Sequence, residues 1–199
     1  MAHSKQQANM TLEAGVKYMV LSGVSSSFLL FGVALIYAYA GNLNIDLLVA
    51  AEGPRLQSGY LVIGSALLLV GVAFKMSWIP FHMWTPDVYQ GAPAPVTGFL
   101  AGAVKVAVFA FAMRWLMMAQ GGYLDLLLLG LTVMAVLSMV VGNLLALRQN
   151  NLKRLLGYSS IAHMGYIIVT LAARATLGAA ALSTALEDAA IYLITYASM

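Results

Sequence analysis

The sequence predicts an all-α, polytopic membrane protein, and three observations carry that prediction. Hydrophobic residues make up 62% of the 199 positions and charged residues only 9%, where a soluble domain carries about 25% charged. Mean hydropathy is +0.88. The apolar positions fall into six runs, each near the roughly 20 residues that a spanning helix needs. One membrane domain over residues 1–199 accommodates all six. With no cysteine in the chain, disulfides and thiolate metal or nucleophile sites are excluded. The net charge of +3 is small, and the basic residues are dispersed, so no nucleic-acid face is formed. No cleavable targeting segment is evident.

In chain order, Met1 to Thr11 is polar and reads as an exposed lead-in. The predicted spans are Val16–Tyr39, Gly59–Phe81, Val96–Leu116, Leu124–Leu147, Leu155–Ala173 and Ala179–Met199. Between them lie Gly41 to Pro54, Pro86 to Pro95, Gly121 with Gly122, and Asn150 with Asn151, which hold the helix breakers and most charges. The polar start and the apolar end at Met199 read as a piece of a longer chain. Orientation follows from the basic residues. Lys5, Lys17, Arg148, Lys153 and Arg154 fall on the side of the N-terminus, and Arg55, Arg114 and Arg174 on the other. Five against three favours a cytoplasmic N-terminus by the positive-inside rule.

The chain is organised around FKMSWIPFHMWTPDVYQGAPAP, Phe74 to Pro95. Pro80, Pro86, Pro93 and Pro95, four of the five prolines, lie in this window. A proline inside a helix removes a donor and clashes with the preceding turn, so the second span should break near Pro80. Broken helices persist at membrane depth only where protein or a water-filled cavity receives the freed backbone groups. Lys75 lies just before this break, and His82 just after it, at a possible cavity mouth or at the interface. Trp78, Trp84 and Tyr89 read as interfacial anchors.

Two further ionisable residues interrupt apolar runs. Lys105 follows Pro95 by ten residues, about 15 Å of helix rise, which is near the middle of a hydrocarbon core about 30 Å thick. His163 follows Lys153 by the same spacing. An ionisable group at that depth costs about 3 kcal/mol on insertion scales and by default marks a functional site. Each has a plainer reading. Lys17 and Arg114 are expected to snorkel, as Lys75 could; Lys105 could make a buried ion pair; His163 could be a packing residue, although Tyr158, Ser159, Ser160 and Tyr166 surround it in sequence. Proton transfer is the chemistry these groups could support, because desolvation disfavours an ammonium and a nearby carboxylate favours it. The carboxylates Glu13, Asp46, Glu52, Asp87, Asp125, Glu187 and Asp188 all fall at or near predicted helix ends, leaving none in mid-membrane for Lys75. The Ser22, Gly23, Ser25, Ser26, Ser27 face would let helices approach closely or line a wet cavity.

VGVAFKMSWIPFHMWTPDVYQGAPAPVTGFLAGAVKVAVF resembles the signature of the subunit N family of bacterial NADH-quinone oxidoreductase, respiratory complex I. NLKRLLGYSSIAHMGYIIV and LEAGVKYMVLSGVSSSFLLFGVALIYAYAG are similar to two further blocks of that family, in its order, and together they cover nearly the whole chain. WTPDVYQGAPAPV is specific, whereas NLKRLLGYSSI-like strings also occur in cation-antiporter and hydrogenase subunits. The resemblance implies a central fragment of an antiporter-like fold of about fourteen helices built on inverted repeats, here the sixth to the eleventh. It implies that Lys75 is the lysine of the broken seventh helix, that Lys105 is a relay lysine of the eighth and that His163 is a polar position of the tenth. The family's glutamate partner for Lys75 belongs to a helix absent from these residues.

The expected function is proton translocation through Lys75, Lys105 and His163, coupled to quinone reduction elsewhere in the complex and carried out in the bacterial inner membrane among other membrane-arm subunits and lipid. The complex uses NADH, quinone, FMN and iron–sulfur clusters. This chain is expected to bind none of them, having neither cysteine nor a GxGxxG fingerprint. A subunit of a monovalent cation/proton antiporter and a purely structural membrane scaffold are the two rivals.

Overall fold

The computed structural model describes residues 2–42, 59–118, 122–172 and 179–198. All regular structure among them is helical: α1 (Ala2–Ala40), α2 (Gly59–Met76), α3 (Trp84–Gly91), α4 (Ala94–Ala101), α5 (Ala103–Met118), α6 (Gly122–Leu147), α7 (Leu152–Ala172) and α8 (Ala179–Ser198). Five stretches among the described residues are long and apolar enough to cross a membrane: Met10–Ala40, Gly59–Met76, Ala94–Leu116, Leu126–Leu147 and Leu152–Ala172. The sixth predicted span is the 20-residue helix α8, and it differs from expectation in one respect. Glu187 and Asp188 lie inside this helix, both exposed, rather than at its end.

The polar lead-in is not a separate segment. From Ala2 onward it is continuous helix with the first span, because its alanine, glutamine, lysine, leucine and glutamate are good helix formers and no proline intervenes. The helix ends at Gly41, whose φ of 73° closes the last turn through an N–H bond to Tyr37 O at 2.8 Å, a conformation that glycine reaches without a Cβ penalty. The predicted third span is divided at Gly102 into α4 and α5, yet Gly102 N still bonds Gly98 O and Val106 N bonds Gly102 O. The two pieces therefore act as one crossing. Asn151 caps α7, its Oδ1 accepting from the backbone N–H groups of Lys153 and Arg154 at 3.0 and 3.3 Å.

The break predicted near Pro80 is present, and α2 ends at Met76, four residues before that proline. That offset is where the proline ring would meet the carbonyl of an ongoing helix, and Ile79, preceding a proline, is disfavoured from helical geometry. The chain passes through Ser77 at φ 63° and a cis Ile79–Pro80 bond before helix resumes at Trp84.

Two intimate helix pairs form the frame, α1 with α2 and α6 with α7, and α3 lies against both α1 and α7. Glycine sets these approaches. A Cβ on Gly32 of α1 would fall 2.6 Å from Gly64 O of α2, and one on Gly165 of α7 would fall 2.9 Å from Met139 N of α6. Between membrane helices there is little hydrophobic driving force, so close backbone packing of small residues carries association. Ser25 serves this packing, buried on α1 with its hydroxyl 3.4 Å from Gly71 O. The core is built mainly from Leu68, Val72, Met76, Trp78, Phe109, Leu131, Met164 and Ile168.

The aromatic window corrects an expectation. Trp78, Trp84 and Tyr89 are all buried, Trp78 completely, so they are core residues rather than interfacial anchors. The Trp84 ring stacks on Phe74 with centroids 5.5 Å apart and meets Tyr18 at a tilt with centroids 5.1 Å apart, and this brings the α3 half of the broken helix onto α1 and the end of α2.

Candidate functional site

At the break, the freed backbone groups find side-chain partners. Ile79 N–H donates to Ser138 Oγ of α6 at 3.0 Å. Phe74 O accepts the indole N–H of Trp84 at 3.0 Å, and a side-chain bond from Thr85 Oγ1 to Ser77 Oγ at 2.7 Å ties the two halves together. The interruption is therefore received by protein on both sides, as irregular backbone at membrane depth requires. Trp78 Nε1, Ser65 Oγ and His82 Nδ1 are buried with no hydrogen-bond partner among the described residues. Trp78 and His82 leave polar atoms near the break for water to satisfy, and Ser65 leaves one about three turns earlier in α2.

Lys75 occupies the last turn of α2, half-buried, one residue before the helix ends. Among the described residues no hydrogen bond or ion pair engages its side-chain ammonium. His82 lies in the connection between α2 and α3, also half-buried.

Lys105 is 0% exposed. Its ammonium donates to Ser160 Oγ of α7 at 2.5 Å, and the Ser160 hydroxyl also meets Tyr89 Oη of α3 at 3.3 Å. No carboxylate pairs with Lys105 among the described residues, so the buried ion pair weighed against the relay is not formed there. An isolated ammonium taken out of water is expensive unless it is paired and hydrogen-bonded, and here hydroxyl oxygen and an aromatic face are what surrounds it. The Tyr196 ring of α8 lies 6.0 Å from Lys105 Nζ.

His163 stands three residues after Ser160 on α7, hence one turn along the same side. Its Nδ1 is 2.5 Å from Tyr192 Oη of α8, and its ring is 5.4 Å from Tyr196 and 6.1 Å from Tyr166, centroid to centroid. Tyr196 thus sits between Lys105 and His163, and the structure brings these two predicted residues into one cluster spanning α3, α5, α7 and α8. Lys75 is not joined to that cluster by a hydrogen bond. Of the four neighbours expected to support His163, Tyr166 contacts its ring while Ser160 serves Lys105. Tyr89, Tyr192 and Tyr196 were missed as site residues. The i, i+4 spacing of Tyr192 and Tyr196 was the available signal, since it puts two hydroxyls on one helix face.

A second polar group closes the opposite face of α3. Asp87 accepts from Arg154 Nη1 of α7 at 2.6 Å and from Lys17 Nζ of α1 at 3.0 Å, and Lys17 also pairs with Glu13 at 2.7 Å. Lys17 is therefore ion-paired and lies well inside the continuous helix α1 rather than near a helix end as expected. Asp87 lies outside the candidate spans. Burial alone would raise its carboxyl, but hydrogen bonds and charge from Lys17 and Arg154 outweigh this and hold it below the ordinary aspartate value. These side chains line an open cavity of about 170 Å³. Among the described residues, no three histidine or carboxylate side chains converge to hold a metal ion.

Both the sequence and the fold of this chain are similar to proteins of known class. Subunit N of NADH-quinone oxidoreductase from Ectopseudomonas mendocina is 52% identical over 191 residues, covering 94% of this chain and 36% of that protein. The chain thus spans little more than a third of the relative's length. Among solved structures, a chain of respiratory complex I from Thermus thermophilus with bound aureothin superposes with TM-score 0.75 at 39% identity, covering 95% of this chain and 38% of its own. A chain of the membrane-bound sulfane sulfur reductase, an archaeal respiratory membrane complex, superposes with TM-score 0.83 at 34% identity, covering 95% of this chain and 37% of its own. The family described as NADH:quinone oxidoreductase/Mrp antiporter, transmembrane, matches residues 1–199. This chain, a multi-pass membrane protein, belongs to that family.

Proposed function

We propose that this chain is the central part of a proton-translocating membrane-arm subunit of NADH-quinone oxidoreductase in the bacterial inner membrane, with its N-terminal side cytoplasmic. The observation that carries the reading is Lys105, wholly buried and held by a serine hydroxyl with no described counter-charge. Proton transfer follows from the hydrogen-bond order. Lys105 donates to Ser160 Oγ, and Ser160 can in turn donate its own hydrogen to Tyr89 Oη. One proton passed along this chain leaves a neutral amine behind and re-forms the Ser160 hydroxyl, and the Tyr89 hydroxyl is re-formed as it releases its own hydrogen to a water beyond it. On the other side of Tyr196, His163 and Tyr192 form the next exchangeable pair. Lys75 and His82 flank the break, where unpartnered polar atoms favour water as the link. Redox chemistry and its NADH, quinone, FMN and iron–sulfur groups belong to other subunits on this reading, and this chain contacts neighbouring membrane-arm subunits and lipid.

The family also contains cation/proton antiporter subunits, and 52% identity to a subunit N supports the redox-coupled assignment over that rival. The deciding experiment measures ion movement during quinone reduction by the assembled complex in vesicles. Proton translocation that persists unchanged without sodium is expected. Obligatory sodium transport would replace this assignment with the antiporter.

A further inference from the structure

The helix after the break is held at a point that the relay does not use. α3 has eight residues and no side-chain cap at its start, and a helix that short is marginal in isolation. Contacts with α1 and α7 therefore set its placement. Asp87 meets both at once: Oδ2 accepts from Lys17 Nζ of α1 at 3.0 Å, and Oδ1 from Arg154 Nη1 of α7 at 2.6 Å. The same Arg154 Nη1 donates to Gln90 Oε1 at 3.1 Å, and Arg154 Nε donates to Gln149 Oε1 at 3.3 Å, which fixes the direction of the guanidinium. Tyr89 leaves α3 two residues after Asp87, about 200° around the axis, and its hydroxyl meets Ser160 at 3.3 Å. Arg154, Gly157 and Ser160 follow at three-residue spacing along one face of α7. At Gly157 the backbone of α3 rests directly on α7, since a Cβ there would lie 3.1 Å from Pro86 Cα. The ion pair thus lies on one side of this crossing point and the relay contact on the other.

We propose that Asp87 is a positioning residue for proton transfer: by tying α3 to α1 and α7 it fixes the rotation of that helix and keeps Tyr89 Oη within reach of Ser160. This role rests on the relay through Ser160 and Tyr89 proposed above. Asp87 lies outside the candidate spans and carries no proton itself. Its two charge-assisted hydrogen bonds point to different helices, and such bonds fix geometry as well as contributing energy. The bond from Thr85 to Ser77 ties down only the start of α3. Without the Asp87 carboxylate, Lys17 and Arg154 lose the anion between them, and Glu13 pairs with Lys17 alone among the described residues. α3 can then turn on its crossing with α7 and carry the Tyr89 hydroxyl away from Ser160.

The test uses the assembled complex in vesicles, with assembly verified for each variant. Asp87→Asn should slow proton uptake at least about fivefold, the worth of one neutral hydrogen bond. Asp87→Glu keeps the charge and should recover most of the rate. Tyr89→Phe should slow uptake at least as much as Asp87→Asn. The double variant should be no slower than Tyr89→Phe alone, because a ring without its hydroxyl has no contact left to misplace. A second readout follows α3 directly. Val88 is buried and the chain has no cysteine, so Val88→Cys supplies a single thiol in this subunit, and Asp87→Asn should speed its labelling by a maleimide. Lys17→Gln breaks one ion pair and leaves the other; it should produce both changes to a lesser degree, and it serves where Asp87→Asn does not assemble. A wild-type rate in Asp87→Asn, unchanged labelling, or a slowing that multiplies with that of Tyr89→Phe overturns the positioning role and leaves the relay standing. Wild-type uptake by Tyr89→Phe overturns the relay through Tyr89, and the role of Asp87 with it.

Discussion

Replacing Ser160 by alanine isolates the contact on which the proposed relay depends. Ser160 is buried, its hydroxyl both accepts from Lys105 and meets Tyr89, and it is the one hydrogen-bond partner of Lys105 among the described residues. Alanine removes a single oxygen and leaves the helix and its packing in place. A hydrogen bond to a charged group contributes about 1.5–3 kcal/mol. At about 1.4 kcal/mol per factor of ten, loss of that contact on the proton's route should slow translocation at least about tenfold. The assay is proton uptake by vesicles carrying the assembled complex, with assembly followed separately by the yield of intact complex. Ser160→Thr retains the hydroxyl and should retain most of the rate. A wild-type rate in Ser160→Ala would show that Lys105 passes no proton through Ser160.

Three further perturbations test other parts of the structure. Lys75→Arg should abolish coupled pumping with assembly intact, because arginine stays protonated at any accessible pH; normal pumping would remove deprotonation of Lys75 from the mechanism. Gly32→Leu should separate α1 from α2 and lower the thermal midpoint in detergent, since even a Cβ there would sit 2.6 Å from Gly64 O; an unchanged midpoint would mean the two backbones are not in contact. Asp87→Asn removes the carboxylate shared by Lys17 and Arg154 and should lower the midpoint by a few degrees at neutral pH. Because the Asp87 carboxyl is held below its ordinary value, its contribution is present above the unfolded value and disappears as pH falls through the folded one. The difference between the two proteins should therefore vanish in acid, and a difference that persists there would assign the effect to packing.

Sequence patterns with local causes were readable in advance. Apolar runs marked the helices, Pro80 marked the break, and a simple count from Pro95 put Lys105 well inside its apolar run, where it is buried, because helix rise and proline sterics act within a few residues. What escaped depended on which helices meet. Lys105 and Ser160 are 55 positions apart, and nothing local joins them. Trp78 and Trp84 have the composition of a membrane-interface belt, yet the broken helix folds back and buries them. Ser138 lies in a plain apolar stretch of α6, and only the proximity of Ile79 N–H gives it a task. The continuity of α1 from Ala2 was missed for another reason: a polar segment of strong helix formers reads as a lead-in when hydropathy alone sets the boundary.

The most direct test of the central claim is the pair of rates, of proton movement and of quinone reduction, in complex carrying Lys105→Ala, measured on the same vesicles with assembly verified. A buried lysine on the proton path predicts that pumping and coupled quinone reduction fall together while the complex remains intact. Wild-type values for both would contradict it and leave Lys105 as a structural residue.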